Sequence, residues 1–190
     1  MQNRLRIIVP ARRRAYKEEI ELVEGDAEHL PFSDAHFDAA LSTYGIMFVP
    51  DQPQAAREIV RVVKPGGKIG LANWTPEGFI GQLLQLVGKR VPPPPGVASP
   101  IYWGLEPRLL ELFPGVRSLR TTRKEFVFRY RSPAHFIEVF RDFYGPTYKA
   151  FLFEPKIAGV AATVAQMKAQ IEIVRLKING RPVFELSGDA

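Results

Sequence analysis

Apolar residues fall in short runs broken by polar and glycine- or proline-bearing segments. Ile20–Val23, Phe37–Leu41 and Ile69–Ala72 each end on small or polar residues: Glu24-Gly25-Asp26, Ser42-Thr43-Tyr44 and Asn73-Trp74. Phe37–Leu41 is almost continuously apolar, which predicts a parallel strand covered on both faces. A helix is predicted between the second and third runs. Pro50-Asp51 opens it, with Asp51 capping free N–H groups and Pro53 tolerated in the first turn. Ala56, Ile59, Val60 and Val63 recur at i, i+3, i+4 and i+7 as one apolar face, and Pro65-Gly66-Gly67 stops the helix. Strands alternating with helices and loops predict a parallel α/β sheet. In such sheets ligands bind beyond the carboxyl ends of the strands. The three run ends are therefore candidate ligand-facing corners.

The flanking segments add further elements. Leu5–Val9 reads as a short strand closed by Pro10, and Ala11–Glu19 as a helix. Glu77–Arg90 carries Phe79, Leu83, Leu86 and Val87 at helical spacing. Pro92–Pro95 is stiff and extended. It reads equally as a substrate lid over the carboxyl edge of the sheet or as a plain connector. Glu106–Phe113 predicts a short helix, and Val116–Tyr130 one long strand or two short ones. Ser132-Pro133 is a cap followed by proline at the first helical position. The stripe Phe136, Val139, Phe140 and Phe143 that follows reads as core rather than as a cofactor box. Ile157, Val160, Ala161, Val164, Met167, Ile171 and Val174 predict a long amphipathic helix. Arg181–Leu186 is a last strand after the turn Asn179-Gly180.

Charge divides the chain unevenly. Residues 1–17 hold six bases and no acid, which leaves twenty bases against twenty acids elsewhere. The basic arm, 1–17, reads as a solvated helix face in preference to a dock for nucleic acid or an anionic membrane. By composition the body, 18–190, offers no second basic surface, so no specific nucleic-acid partner is expected. There is no cysteine, and His29, His36 and His135 lack ligand-like spacing, so neither a disulfide framework nor a metal site is expected. The arm resembles a mitochondrial presequence in its arginines, but its apolar run is broken by Arg6 and stopped by Pro10. No stretch reaches eighteen apolar residues, so no membrane span is expected and the protein reads as cytoplasmic.

Gly25-Asp26-Ala27-Glu28, Leu30-Pro31-Phe32, Phe37-Asp38 and Pro65-Gly66-Gly67, in this order and spacing, resemble the class I methyltransferases that use S-adenosylmethionine. The resemblance is greatest to the type 11 branch of ubiquinone and menaquinone biosynthesis and covers residues 18–150. It implies a Rossmann-like methyltransferase sheet and methyl transfer to a small-molecule acceptor. It implies that Asp26 accepts from the adenine amino group and that the Ala27 N–H reaches the adenine ring. Ser42 then lies beside the methionine portion and the methyl, and Tyr44 faces cofactor or substrate. It assigns no catalytic residue. His29, His36 and Tyr44 are conceivable bases, but none has a partner visible in the sequence.

The pattern departs from the family at its start. A strand with a glycine-rich G-x-G-x-G loop, and a second strand ending in an acid for the ribose hydroxyls, come first in the family. Neither precedes Gly25 here. The expectation is thus an α/β sheet that is N-terminally truncated, its first strand–helix–strand unit missing, with an incomplete S-adenosylmethionine site. The alternative is a non-enzymatic methyltransferase-like remnant acting as a binding or dimerisation module. Phe37–Leu41 would then lose a neighbour. Leu5–Val9 is expected to fill that edge; the other outcomes are a homodimer paired through it, or an edge that stays open and aggregates.

Overall fold

A computed structural model describes residues 23–153, 173–178 and 181–189. The expectations placed on Leu5–Val9, Ala11–Glu19, Ile20–Leu22, the turn at 179–180 and most of the 157–174 helix lie outside those residues. The chain forms two compact units, one of residues 1–72 with 112–115, the other of 73–111 with 116–190.

The first unit is a strand–helix–strand motif. β1 (Phe37–Thr43) leads through a 3-10 turn at Ile46–Phe48 into α1 (Gln52–Val62), and β2 (Val63–Ala72) returns parallel to β1. Asp51 caps α1 as the sequence predicts, its Oδ1 accepting from the Gln54 N–H at 2.9 Å. The buried residues of α1 are Gln52, Ala55, Ala56, Glu58, Ile59 and Val62. Val60, placed on the apolar face by sequence, is exposed, because the true stripe is centred one residue earlier.

Two further expectations are corrected here. α1 ends at Val62, before Pro65, and Val63 is already extended. Pro65-Gly66-Gly67 therefore stops no helix. It forms an excursion inside β2, where Phe37 faces Val63 but Ala39 faces Lys68, and Gly66 takes φ +81°, a conformation that favours glycine. The second correction concerns burial. β1 is not covered on both faces, since Leu41 is 83% exposed. Its side chain lies across Gly70 of β2, where a Cβ would come within 2.6 Å of it. Among the described residues β1 pairs with β2 alone.

The second unit packs aromatic residues between helices and an antiparallel sheet. α2 spans Phe79–Arg90, a 3-10 turn Pro100–Gly104, and α3 Glu106–Leu112. β3 (Glu125–Tyr130) is the only strand found in the predicted 116–130 segment. α4 (Pro133–Phe143) and α5 (Gly145–Phe153) follow, and β4 (Ile173–Ile178) and β5 (Arg181–Asp189) complete a sheet of order β3-β5-β4. β5 confirms the predicted last strand, whereas Val174, assigned to a helix by sequence, lies in β4. Pro92–Pro95 has no regular structure and closes in a turn, the Val97 N–H bonding to the Pro94 carbonyl at 3.1 Å.

Alternation on β3 puts Phe126, Phe128 and Tyr130 on one face. Phe128 lies 5.7 Å from Trp74, 6.2 Å from Phe79 and 6.0 Å from Phe140, ring centre to ring centre. Ser132 caps α4 through the His135 N–H at 3.1 Å, and Phe136 and Phe140 are core, as predicted. Phe143 is 82% exposed. Tyr144, four residues after Phe140 and 4.9 Å from its ring, continues the stripe instead. Burial pushes the Tyr144 phenol well above its ordinary range. Overall neutrality also hides a local feature: Arg117, Arg120, Arg123 and Lys124 are all exposed, with no acid between residues 116 and 124. Arg123 reaches Glu77 at 3.7 Å.

Two glycines of α2 give a paired test of this packing. A Cβ at Gly81 would overlap the Thr75 carbonyl oxygen and sit 2.8 Å from the Pro76 Cα, whereas one at Gly88 would meet nothing within 4 Å. Gly81→Ala is expected to destabilise by about 3 kcal/mol. Gly88→Ala is expected to stabilise by about 0.4–1 kcal/mol, because it removes freedom from the unfolded chain only. Urea unfolding midpoints of the two variants should move in opposite directions.

Candidate functional site

Two turns meet the beginning of α1. The first is Asp26–His29, closed by its own atoms: the Glu28 N–H donates to Asp26 Oδ1 at 2.9 Å and the His29 N–H to the Asp26 carbonyl at 3.0 Å. This is an Asx-type turn, in which a short acidic side chain replaces a backbone acceptor. The helix start holds it at Glu28. Glu28 Oε1 accepts from the Asp51 N–H at 2.8 Å, and its carbonyl accepts from Gln54 Nε2 at 2.9 Å. Asp26 and Ala27 are half-buried. The second carboxylate oxygen of Asp26 and the Ala27 N–H have no hydrogen-bond partner among the described residues.

The second turn follows β1 and lies at the same end of the motif, since β1 feeds α1. The Ser42 hydroxyl accepts from the Ile46 N–H at 3.0 Å and so caps the 3-10 turn. Tyr44 sits at φ +57°. For a bulky residue this left-handed conformation is an outlier that surrounding structure must enforce. Part of that enforcement is visible in the Tyr44 N–H, which donates to the Ala72 carbonyl at the end of β2 at 2.9 Å. Burial raises the Tyr44 phenol above its usual value of 10.0.

The structure thus brings Asp26, Ala27, Ser42 and Tyr44 to one end of the motif. Asn73 and Trp74 belong to the second unit, where Trp74 is buried beside Phe126 and Phe128 and Asn73 Nδ2 donates to the Trp103 carbonyl at 3.1 Å. Among the described residues no group of three or more histidine, aspartate or glutamate side chains is arranged to hold a metal ion. No helix among them is long and apolar enough to cross a membrane.

Sequence reasoning passed over Glu58 and Arg61. Both lie on the polar side of α1 and face the loop that follows the first turn. Glu58 is buried, at 8% exposure, and its Oε2 accepts from the Leu30 N–H at 2.7 Å. Arg61 bonds to both Glu58 oxygens, at 2.7 and 2.8 Å. The one sequence signal was Gln54, Glu58 and Arg61 at i, i+4 and i+7, a polar stripe with the spacing of a buried face.

Residues 6–71 match the profile of the methyltransferase domain family. An uncharacterized protein of Mycobacterium bovis is 41% identical over 151 residues, which cover 78% of this chain and 54% of that protein. A demethylmenaquinone methyltransferase of Lactobacillus johnsonii is 47% identical over 55 residues, 29% of this chain and 22% of that enzyme. The chain spans about half the length of the first of these curated relatives. A crystal structure of a candidate methyltransferase from Bacillus halodurans superposes with a TM-score of 0.52 at 18% identity, covering 93% of this chain and 70% of that one. That likeness establishes the α/β, Rossmann-like fold.

Arg61, by hydrogen bonding, holds the Glu58 carboxyl below its ordinary value of 4.5. The folded state therefore favours the carboxylate, and the unfolded chain takes up the proton first as pH falls. The stabilisation is complete above pH 4.5 and is lost as pH falls through the lower, folded value. Protection of the Leu30 amide, corrected for intrinsic exchange, is expected to hold from neutral pH down to that region and then fall. Glu58→Gln should remove the transition.

Proposed function

We propose, from the chain's kinship with the class I methyltransferases of the ubiquinone and menaquinone type, that the protein transfers a methyl group from S-adenosylmethionine to a small molecule. The observation that carries this reading is the Asp26–Ala27 corner. One Asp26 oxygen is engaged by the Glu28 N–H. The other, an acceptor, lies beside the Ala27 N–H donor, and neither has a partner among the described residues. Adenine presents the complement, an amino donor next to ring-nitrogen acceptors, so the corner fits the adenine end of the cofactor.

S-adenosylmethionine supplies a methyl group on a sulfonium that is already a good leaving group. The protein's share is then alignment and exclusion of water rather than covalent chemistry. Ser42 and Tyr44 are the residues proposed to flank the methionine portion. The Ser42 hydroxyl oxygen accepts from Ile46, which leaves its O–H to donate. Tyr44 contributes an aromatic face. A second reading, a non-enzymatic binding or dimerisation module, draws support from the exposure of Leu41 on β1.

Calorimetric titration of the 190-residue chain with S-adenosylmethionine separates the two readings. Weak binding is expected, with a dissociation constant above roughly 100 μM, because the residues proposed to meet the cofactor are few: Asp26, Ala27, Ser42 and Tyr44. Asp26→Asn is expected to weaken it by about tenfold or more, since a hydrogen bond to a charged group is worth about 1.5–3 kcal/mol. With its oxygen retained by the Glu28 N–H, the Asn amide would turn an NH₂ toward the adenine amino group, donor against donor. Unchanged affinity would reduce Asp26 to a turn residue, and no binding at all would favour the module.

A further inference from the structure

We infer that Arg61, acting with Glu58, is the positioning residue of the Asp26–Ala27 corner. The inference rests on the reading of that corner as the adenine contact. A guanidinium has five N–H donors in a rigid plane, and here all five are used. Nε donates to Glu58 Oε1 at 2.7 Å. One terminal nitrogen donates to Glu58 Oε2 at 2.8 Å and to the Leu30 carbonyl at 3.0 Å. The other donates to the Phe32 carbonyl and to Asp34 Oδ1, both at 2.8 Å.

Arg61 touches neither Asp26 nor Ala27. It acts through Leu30, the first residue after the Asp26–His29 turn. Leu30 is gripped at both backbone groups, its N–H by Glu58 and its carbonyl by Arg61. The turn itself is tied to the helix start at Glu28. The corner is thus strung between two anchors on one rigid helix, and the second exists only while the Glu58–Arg61 pair is intact. A surface ion pair would contribute little. This pair differs because its remaining donors order a loop. Lysine has three donors in a different geometry and cannot reproduce the set.

The test uses the ligand-free 190-residue chain and adenosine as the probe. In Arg61→Lys, amide exchange at Glu28, His29 and Leu30 is expected to rise at least tenfold, while the β2 amides of Gly70, Leu71 and Ala72 change less than twofold. Adenosine affinity, read by NMR titration, should fall at least fivefold in the variant. It should fall little further when Arg61→Lys is added to Asp26→Asn, because both changes disable the same corner. Glu58→Gln, which keeps the side-chain length, is read in the same way in case Arg61→Lys fails to fold. Loop amides that stay protected would overturn the inference. So would parallel loss of protection in loop and β2, or failure of both variants to fold, since each marks a general structural role. Should the unmodified chain bind no adenosine, the adenine reading fails. The exchange data would still decide whether the pair positions the corner.

Discussion

A loop that joins no sheet must find partners for its backbone elsewhere, because a buried N–H or C=O left unpaired is costly. In this chain the partners are on α1. Six backbone groups between Glu28 and His36 are satisfied by that helix. Gln54 takes the Glu28 carbonyl, Glu58 the Leu30 N–H, and Arg61 the carbonyls of Leu30 and Phe32. In return the Ala35 and His36 N–H groups bond to the carbonyls of Arg61 and Val62, each at 2.9 Å. Those carbonyls belong to the last turn of α1, which has no intrahelical donors for them. Loop and helix end complete each other, and the geometry of the candidate site follows from that exchange.

The parts of this arrangement that were legible in the sequence are the local ones. Asp51 and Ser132 announce helix starts because the donor each accepts from lies three residues ahead. The parallel strand–helix–strand motif was legible from alternating runs. The loop–helix exchange was not, since its partners lie 26 to 31 residues apart and a Glu–Arg pair at i, i+3 looks like any solvated pair. The exposure of Leu41 was hidden for another reason. An apolar strand says what could be covered, and the rest of the fold decides what covers it.

The second unit shows the same division between pattern and context. Period-two aromatics on β3 and helical-period aromatics on α4 predict a core, and Phe128 and Phe140 meet in one. The stripe leaves Phe143 in solvent because α4 ends there and the chain turns into α5. The Thr147 hydroxyl donates to the Phe140 and Tyr144 carbonyls, fastening that turn so that Tyr144 inherits the position.

The excursion at Lys64–Gly67 has an evolutionary consequence. Four residues of β2 pass opposite the single residue Asp38 before pairing resumes at Ala39 and Lys68. Side chains alternate between sheet faces, so gaining or losing one residue in an unbroken strand would turn every later one over. Here such a change can be absorbed in the slack, as in a β-bulge. Lys68–Ala72 would keep its register against Ala39–Thr43, and Ala72 its bond to Tyr44. The segment behaves as an expansion joint: descendants of this sequence can drift in length between the helix and the carboxyl end of β2 without disturbing either.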